Sequence, residues 1–372
     1  MRDPFYGWTW AMASASGGIR RYARAFRSAA VVTRGLRARA MMKSSTTPLR
    51  GILGILCLLV AHPALALDLQ GHRGARGLAP ENTLPAFATA LSLGVTTMEL
   101  DTAITKDGVV VISHNPTLNP DITRDGAGTW LEGPGPAIHT LTFPELQQYD
   151  VGRIKPGTDY AKQFPEQKAV DGTRIPRLAD LFALVKKSGN AQVRLNIETK
   201  VSPLEPGLTP DPETFATRLV ALIRQEGMAS RVAIVSFDWR TLQIVQRIAP
   251  EMPTVYLSAQ QRFLDNIAVS KSAGSPWTAG FQYKDHGSVV KMVKAAGGTT
   301  WSPFVGDVTE FKVKEAHALG IRVVVWTVNA APQIGTLLDL GVDGIVSDRP
   351  DVVRQVLGKR GLALPPATPV TP

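Results

Sequence analysis

From residue 67 onward, short apolar runs alternate with runs of helical periodicity, and no other feature restricts the fold as much. The apolar runs are 69–72, 97–101, 109–113, 192–198, 232–237, 254–257, 299–301, 322–327 and 344–347. The helical runs are 82–93, 178–187, 212–226, 239–248, 289–295, 310–319 and 332–340. Parallel strands need a long crossover, and a helix that buries one face on the sheet supplies it. About eight such units in roughly 300 residues fit a (β/α)8 TIM-type barrel, which typically takes about 250 residues. A doubly wound open sheet is the alternative. The first strand is not followed by Gly-x-Gly-x-x-Gly, which counts against a dinucleotide-binding version of it.

Two stretches interrupt the rhythm of this 67–360 domain. Residues 115–176, rich in Pro, Gly, Asp and Thr, read as a subdomain inserted after the second strand region and lying over the site. Residues 260–286 read as a shorter insertion. Residues 361–372 hold four prolines and predict a disordered tail.

The net charge of +10 points first to a polyanion or a membrane surface. Its distribution argues otherwise. Residues 1–66 hold ten of the 41 basic residues and one of the 31 acidic ones, so the body beyond Ala66 is near neutral. Nucleic acid is therefore not an expected partner. Residues 41–66 have the form of a secretory signal peptide. Lys43 and Arg50 supply charge, residues 51–60 form an apolar run too short to span a bilayer comfortably, and Ala64-Leu65-Ala66 matches a cleavage site. Cleavage predicts a mature start at Leu67, export to a bacterial-type periplasm, and no stable membrane anchor afterwards. Residues 1–40 read as an unstructured leader or an upstream start assignment, with Met41 or Met42 as the natural start. Cys57 is the single cysteine and lies in the apolar run. The cleaved chain thus offers no disulfide, catalytic thiolate or cysteine metal site.

In a barrel of this kind, reactive side chains sit at the C-terminal ends of strands. His72-Arg73-Gly74 ends the first run and sets an acid–base group beside a guanidinium fork suited to phosphate. Glu99-Leu100-Asp101 ends the second. Residues i and i+2 of a strand share a face, so two carboxylates crowd one side, a costly arrangement unless a cation or a salt bridge neutralises them. In Asn196-Ile197-Glu198-Thr199-Lys200 the same alternation adds Glu198 as a third oxygen ligand, with Lys200 on that side to offset phosphate charge. Three carboxylates with no His or Cys among them suit Mg²⁺ or Ca²⁺ better than Zn²⁺. Ser113-His114-Asn115 contributes a second histidine. Two histidines flanking a phosphorus atom can take a proton from the nucleophile and give one to the leaving alkoxide. Glu81 stands in a turn that starts a helix, either as helix-start charge or as support for Arg73. His139, His286 and His317 fit no part of this pattern.

These strings occur in one order with Pro80-Glu81-Asn82-Thr83, Ile175-Pro176-Arg177-Leu178, Ser236-Phe237, Trp326-Thr327-Val328-Asn329 and Asp343-Gly344-Ile345-Val346-Ser347-Asp348-Arg349-Pro350. Over residues 70–355 the ordered set resembles the glycerophosphodiester phosphodiesterase family. The resemblance implies a TIM barrel carrying one divalent cation, Ca²⁺ or Mg²⁺, on Glu99, Asp101 and Glu198. It implies His72 and His114 as the acid–base pair, Arg73 and Lys200 as phosphate holders, and Phe237 and Trp326 as an apolar wall beside glycerol. The family hydrolyses glycerophosphodiesters to sn-glycerol 3-phosphate and an alcohol, with the glycerol 2-hydroxyl as an internal nucleophile. Where many members have Asp after the second histidine, this chain has Asn115.

Three other readings share parts of the set. A phospholipase C or D type barrel would use the same His/Glu/Asp pattern beside a strongly apolar rim, which the sequence does not suggest. A non-catalytic periplasmic phosphodiester-binding protein would have no need of two proton-transfer groups. A glycoside hydrolase would pair carboxylates at larger separation and lack the His-Arg pair.

Overall fold

The computed structural model describes residues 67–372. The expectations for 1–40 and 41–66 lie outside the described residues. All nine expected strands form: β1 Asp68–Gly71, β2 Thr97–Ile104, β3 Val110–Ile112, β4 Arg194–Thr199, β5 Val232–Ser236, β6 Thr254–Ser258, β7 Thr300–Pro303, β8 Arg322–Val325 and β9 Gly344–Ser347. Eight of them, all but β3, run parallel, and β1 pairs with both β2 and β9, so the sheet closes into a barrel. An open doubly wound sheet has no such closure. The ninth, β3, is antiparallel and pairs with the far end of β2, Thr102 opposite Ile112. It therefore forms a hairpin that rises from the rim instead of a stave of the barrel.

Crossover helices follow the staves and cover the outside. Their starts are set by side-chain caps: Thr83, Asp211, Asp238, Ser288 and Thr309 each accept a hydrogen bond from a free backbone N–H of the first turn. The first helix spans Leu84–Leu93, two residues shorter than its periodicity suggests. Thr83 is its cap, and Asn82 takes a left-handed backbone (φ 55°) that turns its side chain inward. A final helix, Pro350–Lys359, was not anticipated, because it begins within the Asp348-Arg349-Pro350 string. The main apolar core lies between sheet and helices and includes Leu69, Met98, Leu100, Ile197 and Trp301.

The insertion 115–176 has a small apolar cluster of its own, in which Leu118, Ile138, Leu146 and Ile175 pack on Ala103 and Val111 of the β2–β3 hairpin. It carries two one-turn helices, Phe143–Leu146 and Asp159–Gln163. The 260–286 stretch is mostly irregular, closed by a Gln260–Asp265 bridge and ending in the turn Tyr283–His286.

The tail departs from expectation. Residues 361–372 have no helix or strand beyond the end of the last helix, but they are held. Thr368 N–H donates to Leu91 O at 2.8 Å, and Asn190 Nδ2 to Thr368 Oγ1 at 3.1 Å. Arg354 Nη1 donates to Pro365 O at 2.8 Å, Lys187 Nζ to Thr371 O at 2.9 Å, and Val370 packs on the core. Proline-rich composition signals only that a segment cannot build its own ladder. It says nothing of donors that stand on neighbouring helices and loops.

Candidate active site

The β1 strand delivers His72 to the rim, and the turn behind it depends on Gly74. This glycine sits at φ 86°, and a Cβ there would meet the Ala86 backbone at 2.7 Å. The loop can thus fold onto the first helix and turn Arg73 toward β2. Barrel closure does the rest. His72 N–H bonds Ser347 O at 2.9 Å, which brings the residue after β9 beneath the imidazole. His72 Nδ1 donates to Asp348 Oδ1 at 2.6 Å. Asp348 is itself gripped by Arg76, Nε to Oδ1 at 2.8 Å and Nη2 to Oδ2 at 3.2 Å, and by Asn329 Nδ2 at 2.8 Å.

The parallel register of β2 and β4 sets Glu99 opposite Asn196 and Asp101 opposite Glu198. Carboxylate oxygens of Glu99, Asp101 and Glu198 come within 4.8 Å of one another, and all three residues are buried. Lys200 is 3% exposed, so it is no ordinary surface lysine; its Nζ bonds Glu198 Oε1 at 2.9 Å and lies 3.4 Å from Asp101 Oδ1. Arg73 donates through its backbone N–H to Glu99 Oε2 at 2.9 Å, lies 3.3 Å from Asp101 Oδ2 through Nε, and bonds Glu81 Oε1 at 2.7 Å through Nη1. Glu81 therefore supports Arg73 and does not serve as a helix-start charge. Asn82 Nδ2 donates to Asp101 Oδ2 at 2.9 Å.

His114 reaches the site from the hairpin strand β3, whose end is fixed by Ser113 N–H to Asp101 O at 3.0 Å. Its Nδ1 faces Asn115 Oδ1 at 3.0 Å. Phe237, past β5, and Trp326, past β8, meet edge to face with centroids 5.3 Å apart, and Lys200 Nζ lies 6.0 Å from the Phe237 ring centre. Asn266 of the second insertion donates to Phe237 O at 3.2 Å and braces that wall.

Eight of the nine expected site residues line one cavity of about 500 Å³, and Lys200 stands at its edge through Glu198. The opposite half is apolar, with Val235, Val255, Leu257 and Val346 beside the two aromatic rings. No residue of 115–176 lines this cavity; Asn115, Leu118, Asn119 and Thr123 of the insertion line an adjoining pocket with Glu81, Asn82 and His114, and the insertion packs on the β2–β3 hairpin. Of the three unplaced histidines none reaches the cavity, and His317 pairs with Asp343 at 2.9 Å outside it.

Electrostatics divide these groups by task. Burial, reinforced by Arg76, lowers the His72 pKa to about 4 against the opposing pull of Asp348. Burial with Arg73 and Lys200 nearby pushes His114 well below the usual imidazole range. Both rings are then neutral near pH 7. Burial, then Asp101 and Glu198, raises Glu99 well above the carboxylate range; burial, opposed by Lys200, moves Glu198 up to about 7. Burial also works against Asp101, but Lys200, His114 and Arg73 together hold it well below its ordinary value. Around the cavity, buried Arg73, Arg76 and Lys200 face buried Glu81, Glu99, Asp101, Glu198 and Asp348. With all five carboxylates ionised the balance is two negative charges, which one divalent cation would cancel while opposing the upward shifts of Glu99 and Glu198, and the ligand set is all oxygen. The residues present fit Ca²⁺ or Mg²⁺.

Asp348, Arg76, Asn329 and Asn82 were not singled out from sequence. Three of them, Asn82, Asn329 and Asp348, lie inside the quoted strings, but the pairing of Asp348 with His72 is set by barrel closure. The profile of the glycerophosphoryl diester phosphodiesterase family matches residues 72–352. A glycerophosphodiester phosphodiesterase of Caldanaerobacter subterraneus is 27% identical over 293 residues, 78% of this chain and 97% of the relative. A protein of the same name from Bacillus subtilis is 26% identical over 289 residues, covering 77% and 84%. A crystal structure from Silicibacter pomeroyi carrying the family's name is 36% identical, with a TM-score of 0.72 over 81% of this chain and 96% of that one. The fold is also that of an Oleispira antarctica phosphodiesterase solved with the product sn-glycerol-3-phosphate, at 20% identity, a TM-score of 0.57, and coverage of 79% and 97%. With a closed parallel barrel, its acidic cluster and a family profile spanning most of the length, the chain belongs to the glycerophosphoryl diester phosphodiesterase family.

Proposed function

We propose that this enzyme hydrolyses glycerophosphodiesters, glycerophosphocholine among them, to sn-glycerol 3-phosphate and an alcohol by two-histidine proton transfer, with one Ca²⁺ or Mg²⁺ on Glu99, Asp101 and Glu198. One observation carries the reading: two imidazoles, Arg73 and three carboxylates line a single cavity, with Lys200 at its edge. The cation, when bound, supplies positive charge to the phosphoryl oxygens.

The remaining work belongs to the chain's own residues. Asp348 holds the His72 proton on Nδ1, so Nε2 presents a lone pair to the cavity and accepts the proton of the glycerol 2-hydroxyl. That oxygen attacks phosphorus, and the bond to the head-group oxygen breaks. His114 enters this step as the imidazolium, a form the bound anionic phosphodiester favours, and gives that proton to the departing alkoxide, so that it ends neutral as His72 ends charged. Water then opens the cyclic phosphate with the two roles exchanged. Arg73 and Lys200 neutralise non-bridging oxygens in a buried setting, where charge acts most strongly. Phe237 and Trp326 seat the glycerol carbons and keep water from them.

Glycerophosphocholine given to the full-length chain after signal removal, with Ca²⁺, Mg²⁺ or EDTA, tests this through release of glycerol 3-phosphate. Release that depends on a metal is expected. No release with any metal overturns the reading, and preference for a lysophospholipid would move it to the lipid-acting alternative. The signal-like segment 41–66 extends the proposal to an exported, periplasmic enzyme. N-terminal sequencing of the native protein should then find Leu67 first.

A further inference from the structure

The first half of the insertion 115–176 lines a pocket beside His114, and its second half folds across the loop that follows β1. Tyr160 donates its hydroxyl to Glu81 Oε2, while the other oxygen of Glu81 accepts from Arg73 Nη1 at 2.7 Å. Arg76 Nη1 donates to the Tyr160 oxygen at 3.4 Å, and its guanidinium lies 4.6 Å from the Phe164 ring centre. Tyr160 and Phe164 pack edge to face at 5.0 Å, and Tyr160 is 2% exposed. Backbone ties extend the grip: Gln167 Nε2 donates to Arg76 O at 2.7 Å, and Lys168 N–H to Leu78 O at 3.0 Å. Arg349, beside Asp348, pairs with Glu166 at 2.6 Å.

The loop under this grip is strained. Arg73 at φ 51° and Asn82 at φ 55° occupy the left-handed region without being glycine. Such residues are strained and persist only where their surroundings over-determine them. Those surroundings are Glu99 and Asp101 on β2 and, through Glu81, Tyr160 of the segment 158–168. A buried phenol pressed on a carboxylate is also a poor choice for packing alone, since Phe would fill the space without a polar atom to satisfy.

We propose that Tyr160 is a positioning residue for Arg73, acting through Glu81, and that this part of the insertion serves as a clamp on the β1 loop. The proposal rests on the reading of Arg73 as a phosphate holder. With Tyr160 in place, Glu81 can turn only one oxygen toward Arg73. The guanidinium is thereby fixed with Nε toward Asp101 and its remaining edge toward the cavity. The hydroxyl's contact with Arg76 carries the same constraint to Asp348, and so to His72.

Tyr160→Phe keeps the ring against Phe164 and removes one O–H. The expected result is a roughly tenfold weaker binding of sn-glycerol 3-phosphate by calorimetry, with kcat/KM for glycerophosphocholine down by at least as much. Ca²⁺ affinity should be unchanged, because the three carboxylates keep their places. Glu81→Gln should give the same defect. The double variant should be no worse than either single one, as expected of groups that act in series. Wild-type product binding in Tyr160→Phe, or additive losses in the double variant, would overturn the clamp. A merely structural role would lower Tm while leaving product affinity per folded molecule intact, and that outcome also overturns it. Product binding does not require turnover. An enzyme that fails to hydrolyse glycerophosphocholine yet binds the product in a Tyr160-dependent way would refute the functional reading and leave the clamp standing.

Discussion

His72 and Asp348 lie 276 residues apart in sequence and share a 2.6 Å hydrogen bond, Nδ1 to Oδ1, across the seam where the barrel closes. The carboxylate fixes the tautomer and orientation of the ring, much as the buried Asp does in a Ser-His-Asp triad, where its amide replacement costs about 10⁴ in kcat. Asp348→Asn is therefore expected to lower kcat for glycerophosphocholine by about 10²–10⁴-fold with little change in KM. Steady-state kinetics check this, and an unchanged kcat would remove Asp348 from the mechanism.

The same carboxylate sets a stability limb. Burial alone would raise its pKa, but Arg76 and His72 hold it far below the usual range. An unfolded Asp titrates near about 3.9. The unfolded chain thus binds the proton more readily in that window, and stability contributed by Asp348 is complete above the unfolded pKa and is lost as pH falls below it. Urea midpoints measured between pH 3 and pH 6 should fall more steeply toward acid in the wild type than in Asp348→Asn. The variant should also be less stable at pH 6, because Arg76 loses its partner.

Glu99, Asp101 and Glu198 repel one another in a buried site, so a bound dication should stabilise the fold as well as serve the reaction. Ca²⁺ or Mg²⁺ at about 100 times its Kd is worth about 2.7 kcal/mol by mass action. Thermal melts with and without the ion should show a rise in Tm, and Glu198→Gln should lose most of that rise and at least tenfold in ion affinity by calorimetry.

Asn115 faces His114 Nδ1 with an uncharged oxygen at 3.0 Å. A carboxylate there would favour the imidazolium and raise the pKa of His114. Asn115→Asp should move the limb of the kcat/KM–pH profile governed by His114 to higher pH, by about one unit for each 1.4 kcal/mol gained. A profile that stays in place would mean His114 does not set the rate.

Removing residues 364–372 deletes the hydrogen bonds of Thr368 and the packing of Val370, none of which involves a residue lining the cavity. The net worth of a few such contacts is about 2–3 kcal/mol. For a domain of this size Tm should fall by several degrees, at about 2–4 °C per kcal/mol, while kcat of the folded enzyme is retained.

Much of this architecture is legible in the sequence, because strand and helix periods are local signals. Glu99 and Asp101 announce a crowded strand face, and Glu198 and Lys200 repeat the pattern four strand runs into the chain. What stays hidden is whatever depends on closure or on aperiodic chain. Asp348 is visible as a letter in a string, but its service to His72 follows from Gly71 pairing with Ser347. Tyr160 lies in a stretch with no long period, so nothing marks it as a neighbour of Glu81. The tail misled for a related reason: its bonds are made by Arg354, Lys187 and Asn190, and none of these is encoded in the prolines themselves.

The seam between β1 and β9 has a further consequence for the life of the molecule. A chain still emerging from synthesis already possesses its three acidic ligands, both histidines and Arg73, all within the first 198 residues. Its leading imidazole has no anchor until residues 344–348 arrive and the last stave seats against the first. The His72–Asp348 pair is thus withheld until nearly the whole polypeptide has been made and folded. An incomplete copy would be a barrel without its keystone, its leading imidazole left unheld.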